Sequence, residues 1–159
     1  MASTDEVYVT VDGEGGHAAD PHAAIDPVYV ASEIVTGLQS LVSRRCPPGV
    51  PSVLTLGRFV ADGATNVIPD TARLEGTFRA MDEDWRFRAH DLFRRLVHRT
   101  AEAHGATATV EVREGYPALR NDESTTALVQ KAAREYVGPD RTVAADRWFA
   151  GDDLAYILQ

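Results

Sequence analysis

The stretch ARLEGTFRAMDEDWRFRAHDLFRRLV, residues 72–97, contains both of the hydrophobic patterns from which this chain is built. In its first third, small and apolar residues alternate with charged and polar ones, which is the period of a half-buried strand. Asp82 then supplies a helix N-cap, and the apolar residues after it recur at helical spacing. Those residues are Trp85, Ala89, Leu92, Phe93, Leu96 and Val97. The stretch predicts a strand followed directly by an amphipathic helix, which Gly105 closes.

Upstream of this stretch, the sequence predicts another strand and another helix. A strict alternation at the N-terminus places Val7, Val9 and Val11 on one face of a first strand. Asp26 followed by Pro27 marks the start of a helix, because Asp caps free amides and Pro is tolerated in the first turn. This helix should stop near Cys46, where a run of prolines begins.

Two further strands complete the unit. Residues 52–60, SVLTLGRFV, are rich in β-forming residues, and residues 106–112 alternate between small or apolar and polar side chains. The order is then β-α-β-β-α-β, which folds as a ferredoxin-like α+β sandwich with both helices on one face of the sheet. We assign residues 1–115 to this domain.

Residues 116–159 have a different composition and are not predicted to fold alone. Asp122 caps a third helix that should end at Gly138, and the ending RWFAGDDLAYILQ is apolar. One helix and short apolar stretches cannot bury enough surface for an independent domain. We therefore expect the chain to lack part of its natural surroundings on this side.

Composition narrows the classes of function. Sixteen Lys and Arg against 24 Asp and Glu give a formal net charge of -8, which disfavours binding to nucleic acid through phosphate neutralisation. No apolar stretch approaches the roughly 20 residues that span a bilayer, and the N-terminus lacks a signal pattern. We expect a cytoplasmic protein without a membrane partner, acting on small molecules. The single cysteine, Cys46, cannot form an internal disulfide.

Three residues are candidates for chemistry. His17 follows two glycines in GGHAADPH, a loop that could present its imidazole as an oxyanion donor, a base or a metal ligand. Asn66, in TNVIPD, offers amide donors and an acceptor, and Arg79 stands on the polar face of a strand, where its guanidinium suits carboxylates. Taken singly, each fits a surface or turn role at least as well. Spacing does not show that they converge.

Other polar clusters are predicted to be structural. His90, His98 and His104 lack the i, i+4 pairing that would place two imidazoles on one metal, so we expect exposed helix histidines. The basic stretch 86–99 is interpreted as a solvated helix face, and the pair Asp152–Asp153 as a cap or solvated turn.

An ordered series of motifs resembles a known family. These are GGHAADPH, DPVYVASEIVTGLQSLVSRR, GATNVIPDTARLEGTFRAMD, GYPALRND and GDDLAYIL. Together they are similar to the co-catalytic metallopeptidase family of aminoacylases and carboxypeptidases, in the branch of amidohydrolases that includes hippurate hydrolase and indoleacetyl-amino-acid hydrolase. In that family an α/β catalytic domain holds two divalent metals, and a ferredoxin-like lid inserted into it mediates dimerisation.

The resemblance implies roles for the three candidates. His17 corresponds to the lid histidine that reaches the partner subunit's active site and stabilises the tetrahedral oxyanion. Asn66 and Arg79 correspond to residues that bind the carboxylate end of an N-acyl amino acid or related amide. The second strand and first helix would form a symmetric homodimer interface. In the intact enzyme a metal-bound hydroxide would attack the amide carbonyl, with zinc, manganese or a similar ion as the metal.

The family's metal ligands lie upstream of the lid and near the C-terminus, and none is found in this sequence. We therefore expect a fragment, in which residues 116–159 are an incomplete piece of the metal-dependent α/β hydrolase domain. This fragment should bind no metal and be inactive alone. Two alternatives stay open. One is a non-catalytic ferredoxin-like module for dimerisation or binding of a small carboxylate, and the other is a metal-binding half supplied by a separate chain.

Overall fold

A computed structural model describes residues 1–158. Its order of elements is strand, short strand, helix, strand, short strand, strand, helix, strand and helix. The bounds are β1 Asp5–Asp12, β2 Gly16–His17, α1 Pro27–Ser40, β3 Ser52–Val60, β4 Val67–Ile68, β5 Thr71–Ala80, α2 Glu83–Ala103, β6 Thr107–Glu114 and α3 Glu123–Val137. The long strands form one antiparallel sheet in the order β3-β5-β1-β6. This is the predicted ferredoxin-like topology, and the fold class is confirmed.

The core lies between one face of the sheet and helices α1 and α2. The inward positions of β1, Val7, Val9 and Val11, are at most 2% exposed, as their alternation predicts. Ile34 of α1 and Phe93 of α2 pack into the same cluster. The opposite face of the sheet carries polar and charged side chains and is covered by no helix among the described residues.

Helix α1 begins and ends where the sequence predicts. The Asp26 carboxylate accepts hydrogen bonds from the amides of Val28 (2.8 Å) and Tyr29 (3.3 Å), which caps the first turn. After Ser40 the chain makes one π-helical turn, Leu41–Arg45. Cys46 then adopts an extended conformation before the prolines, so the helix cannot continue.

The β3–β5 pair contains a bulge. Its register shifts between Leu56 and Arg58. Opposite, Gly76 lies against β3 so closely that a Cβ built on it would be 2.1 Å from the Thr55 carbonyl oxygen. Strand β3 is also an edge of the sheet, and no strand within residues 1–158 pairs with its outer side.

The C-terminal segment, residues 116–158, adds little to the core. Asp122 caps α3, as predicted, but no residue of this helix is buried. Its apolar side chains are exposed, together with several that follow: Leu128, Val129, Tyr136, Val137, Val143, Trp148, Leu154, Tyr156, Ile157 and Leu158. The predicted C-terminal unit ends at Gln159, which lies outside the described residues. Within the described part, no helix is long and apolar enough to cross a bilayer.

Candidate functional site

His17 and Asn66 are brought together by a two-residue ladder. Strand β2 pairs with β4, so that His17 lies opposite Val67, and the Ala18 amide donates to the Asn66 carbonyl oxygen at 3.0 Å. Gly15 permits this approach, because a Cβ there would be 2.5 Å from the Ile68 carbonyl oxygen. The close approach of the two backbones is therefore found at Gly15, the first of the two glycines before His17.

The imidazole of His17 is held in one orientation. Its Nδ1 accepts a hydrogen bond from the Ala19 amide at 3.1 Å. An accepting Nδ1 places the proton of the neutral ring on Nε2. His17 is exposed, as is Asn66, so this N–H is available to an acceptor beyond the loop. The loop can therefore present one defined donor.

Arg79 lies at the opposite end of the sheet. It is eight positions along β5 from Thr71, which follows the loop of Asn66, and this corresponds to about 27 Å of antiparallel strand. Its Nη1 donates to the Phe149 carbonyl oxygen of the C-terminal segment at 2.8 Å. Within one copy of the chain, Arg79 is not brought to His17 and Asn66. A small ligand cannot touch both ends of one sheet.

A buried ionic cluster was not predicted. Arg86 and His90, assigned by sequence to a solvated or exposed helix face, are both 3% exposed and face Asp5. Arg86 donates to the Asp5 carboxylate from Nε at 2.9 Å and from Nη2 at 2.5 Å. The His90 Nε2 lies 2.8 Å from Asp5 Oδ2, the oxygen that also accepts from Arg86 Nε. The expectation of an exposed His90 and Arg86 is therefore wrong, because a buried carboxylate compensates them.

The sequence contains a signal for this cluster. Asp5 is in phase with Val7, Val9 and Val11, so alternation alone places it on the buried face. Arg86 and His90 are four residues apart on α2, and Phe93 lies on the same side of the helix.

The other polar residues of the sequence analysis lie as predicted. His98 and His104 are exposed, as expected. Asp152 caps a short helix through the Leu154 amide at 3.0 Å, which is the predicted role.

Electrostatics of the cluster follow from these contacts. Burial raises the pKa of Asp5, but the hydrogen bonds from His90 and Arg86 outweigh it and hold the pKa below its ordinary value of 3.8. Burial lowers the pKa of Arg86, and the bonds to Asp5 and Glu83 more than reverse this. The pair is therefore charged in the folded chain.

The described residues do not form a metal centre. Among residues 1–158, no three His, Cys, Asp or Glu side chains lie close enough together to hold a metal ion. The dinuclear centre that the family resemblance implies does not fit the side chains described, and no catalytic step through a metal is derived from them.

The fold and the projecting histidine loop define a class: a ferredoxin-like α+β domain with an open edge strand. Comparison with known families identifies it further. Residues 4–105 match the family described as the peptidase dimerisation domain of M20 peptidases. The chain belongs to this family.

Similar proteins are amide hydrolases. The chain is 36% identical over 163 aligned residues to the N-acetyl-L-cysteine deacetylase of Bacillus subtilis, covering 100% of this chain and 38% of that enzyme. It is 39% identical over 124 residues to the N-acyl-L-amino acid amidohydrolase of Geobacillus stearothermophilus, covering 77% and 34%. The chain thus spans about two fifths or less of the length of these relatives.

Solved structures agree with the fold. An aminohydrolase from methicillin-resistant Staphylococcus aureus superposes with a TM-score of 0.87 at 32% identity, over 99% of this chain and 40% of that one. A dinuclear metal-binding M20 peptidase from Bacillus subtilis superposes with a TM-score of 0.75 at 28% identity, over 99% and 38%.

Proposed function

We propose that the chain is the dimerisation and substrate-contacting part of a metal-dependent amidohydrolase that hydrolyses N-acyl amino acids or related amides. The observation that carries this proposal is the orientation of His17, whose Nδ1 is occupied by the Ala19 amide while its ring is exposed. Such a histidine presents Nε2–H as a fixed donor, which suits the oxyanion of a tetrahedral intermediate. The amide-hydrolase names of the relatives support the same reaction class.

We assign roles to the chain's own side chains. His17 donates from Nε2 to the oxygen that becomes negative as the amide carbonyl is attacked. The Asn66 amide and the Arg79 guanidinium bind the carboxylate end of the substrate, Arg79 through a two-pronged contact. Activation of water by two divalent ions has to come from residues other than those described.

The separation of the two ends of the sheet requires two copies. Thr71, where β5 begins after the loop of Asn66, is about 27 Å from Arg79 along the strand. One active site would therefore take its histidine from one subunit and its arginine from the other. Strand β3 offers the contact, since it is an open edge with Val53 38% and Phe59 43% exposed. A symmetric homodimer through β3 and α1 would form two equivalent active sites, each with residues from both subunits.

We also propose a division of the chain at residues 115/116, with residues 116–159 belonging to the hydrolase domain. The core cluster draws only on residues up to Ala106, with further packing from as far as Val112. This observation also favours the second candidate, a non-catalytic dimerisation or carboxylate-binding module that folds by itself.

The test grafts this chain into a complete relative. The chain replaces the aligned 38% of the Bacillus subtilis N-acetyl-L-cysteine deacetylase, and a panel of N-acyl amino acids is assayed with added zinc or manganese. In the graft, His17→Ala should lower kcat/KM by about 100-fold or more through loss of the oxyanion donor. The matched control, His104→Ala, removes an exposed histidine elsewhere on the lid and should have little effect.

Two results would contradict the proposal. One is an active graft in which His17→Ala and His104→Ala behave alike. The other is hydrolysis by the ungrafted chain above its own His17→Ala control, because the chain alone is expected to be inactive. An active lid graft that needs neither His17, Asn66 nor Arg79 would favour the dimerisation module.

A further inference from the structure

The buried ionic cluster reaches beyond the core to the point where the chain leaves the sheet. After β6 the chain enters the linker to α3, residues 115–122. The amide of its first residue, Gly115, donates to Asp5 Oδ1 at 3.2 Å, and the Gly115 carbonyl oxygen accepts from Arg86 Nη2 at 3.2 Å. Both backbone groups of one linker residue are thus bonded to a buried ion pair.

Glu83 extends the contact by three residues. Its Oε2 accepts from Arg86 Nη1 at 2.8 Å, and its Oε1 accepts from the Ala118 amide at 2.7 Å. Glu83 is the first residue of α2, where a carboxylate interacts favourably with the helix dipole. That interaction does not explain the hydrogen bond from Ala118, which is a separate contact. Both oxygens of this side chain are therefore committed, one to the cluster and one to the linker.

The N-terminal residues run beside the same linker. The Thr4 amide donates to the Tyr116 carbonyl oxygen at 2.9 Å, and the Leu119 amide donates to the Met1 carbonyl oxygen at 3.1 Å. The two segments that flank the ferredoxin-like unit are thus paired with each other. The bonds from Arg86 to Gly115 and from Ala118 to Glu83 join this pair to α2.

We infer that the Asp5–Arg86–Glu83 cluster is a clamp that sets the direction in which residues 116–158 leave the sheet, with Glu83 as its positioning residue. The clamp concerns this chain's own contacts and does not depend on the proposed function. If the proposed function holds, the clamp also sets the place of Arg79, because Arg79 bonds to Phe149 in the segment so held.

Hydrogen exchange at single amides tests the clamp in the full 159-residue chain. Glu83→Ala should raise the exchange rate of the Ala118 amide by about tenfold or more, since this amide loses a charged acceptor. Amides in the two central strands, such as Val9 in β1 and Leu74 in β5, should keep their rates. The matched control is Asp84→Ala, which removes an acidic residue from the same helical turn.

A distance measurement gives a second readout. Spin labels at Arg99→Cys on α2 and Lys131→Cys on α3, in a Cys46→Ser background, report the direction of the C-terminal segment. Glu83→Ala should broaden the distribution of label distances, and Asp84→Ala should not. The inference is overturned if Ala118 exchange is unchanged in Glu83→Ala, if Val9 exchanges faster by the same factor, or if the distribution keeps its width.

Discussion

Asp5 is a carboxylate with 1% exposure, and its stabilising role depends on Arg86. Replacing it with Asn removes the fully buried counter-charge of Arg86 and leaves only the half-buried Glu83 carboxylate beside the guanidinium. Asp5→Asn should therefore lower the free energy of unfolding by about 3 kcal/mol or more, measured by urea titration. Glu111→Gln is the matched control, because Glu111 is paired with Arg113 on the exposed face, and it should change stability by less than about 0.5 kcal/mol. Equal effects of the two substitutions would contradict the role assigned to Asp5.

The same residue predicts a pH dependence. The folded-state pKa of Asp5 lies below its ordinary value of 3.8, so the unfolded chain takes up the proton first as pH falls. The stabilisation is therefore present above about pH 4 and is lost as pH falls through the folded pKa. Between about pH 5 and about pH 3 the urea midpoint of the parent should fall more than that of Asp5→Asn. Parallel decreases in both proteins would rule out this contribution.

At the scale of elements, the β3–β5 contact should tolerate no side chain at Gly76. Gly76→Ala places a Cβ 2.1 Å from the Thr55 carbonyl oxygen, and relief requires movement of the strand backbone. We expect a loss of about 1–3 kcal/mol in the free energy of unfolding. Gly57→Ala, in the bulge of the facing strand, meets nothing within 4 Å and should cost less. The urea midpoints of the two variants give the two losses in the free energy of unfolding. A loss in Gly57→Ala that equals or exceeds the loss in Gly76→Ala would refute the packing argument.

The open edge at β3 predicts where two copies meet. Phe59→Glu puts a charge on this edge and should convert a dimer into a monomer, as measured by sedimentation equilibrium. Thr109→Glu makes the comparable change on β6, the opposite edge of the sheet, and should leave the dimer intact. If Thr109→Glu dissociates the dimer and Phe59→Glu does not, the interface lies at β6, which contradicts the assignment to β3.

The elements could be predicted where one periodic pattern runs through them. Val7, Val9 and Val11 defined β1, and Asp82 marked the start of α2, which its carboxylate caps through the Trp85 amide at 2.8 Å. The buried face of α2 was only partly predicted. Leu92 and Leu96 are half-buried, while Arg86 and His90 are buried. Hydropathy alone could not predict this, because the burial of Arg86 and His90 depends on their hydrogen bonds to Asp5.

The candidate site was harder to predict than the fold. The β2–β4 ladder that joins His17 to Asn66 is two residues long, too short to produce a period in the sequence. Arg79 was correctly placed on a strand, but its distance from His17 depends on strand direction and sheet order, which only the assembled sheet provides.

At the scale of the whole molecule, the positions of His17 and Arg79 at opposite ends of the sheet determine how a site can be assembled. One chain can supply only one end to any small substrate. The exposed apolar side chains of residues 116–158 and the relatives' greater length support the proposal that this chain works as part of a larger protein.

Complementation between two inactive grafts tests this most directly. The deacetylase graft carrying His17→Ala is mixed with the graft carrying Arg79→Ala, the dimers are allowed to exchange subunits, and hydrolysis of an N-acyl amino acid is measured. If each site takes its histidine and arginine from different subunits, mixed dimers contain one intact site, and about a quarter of the parent graft's activity returns. If both residues come from the same subunit, every site stays defective, and mixing restores no activity.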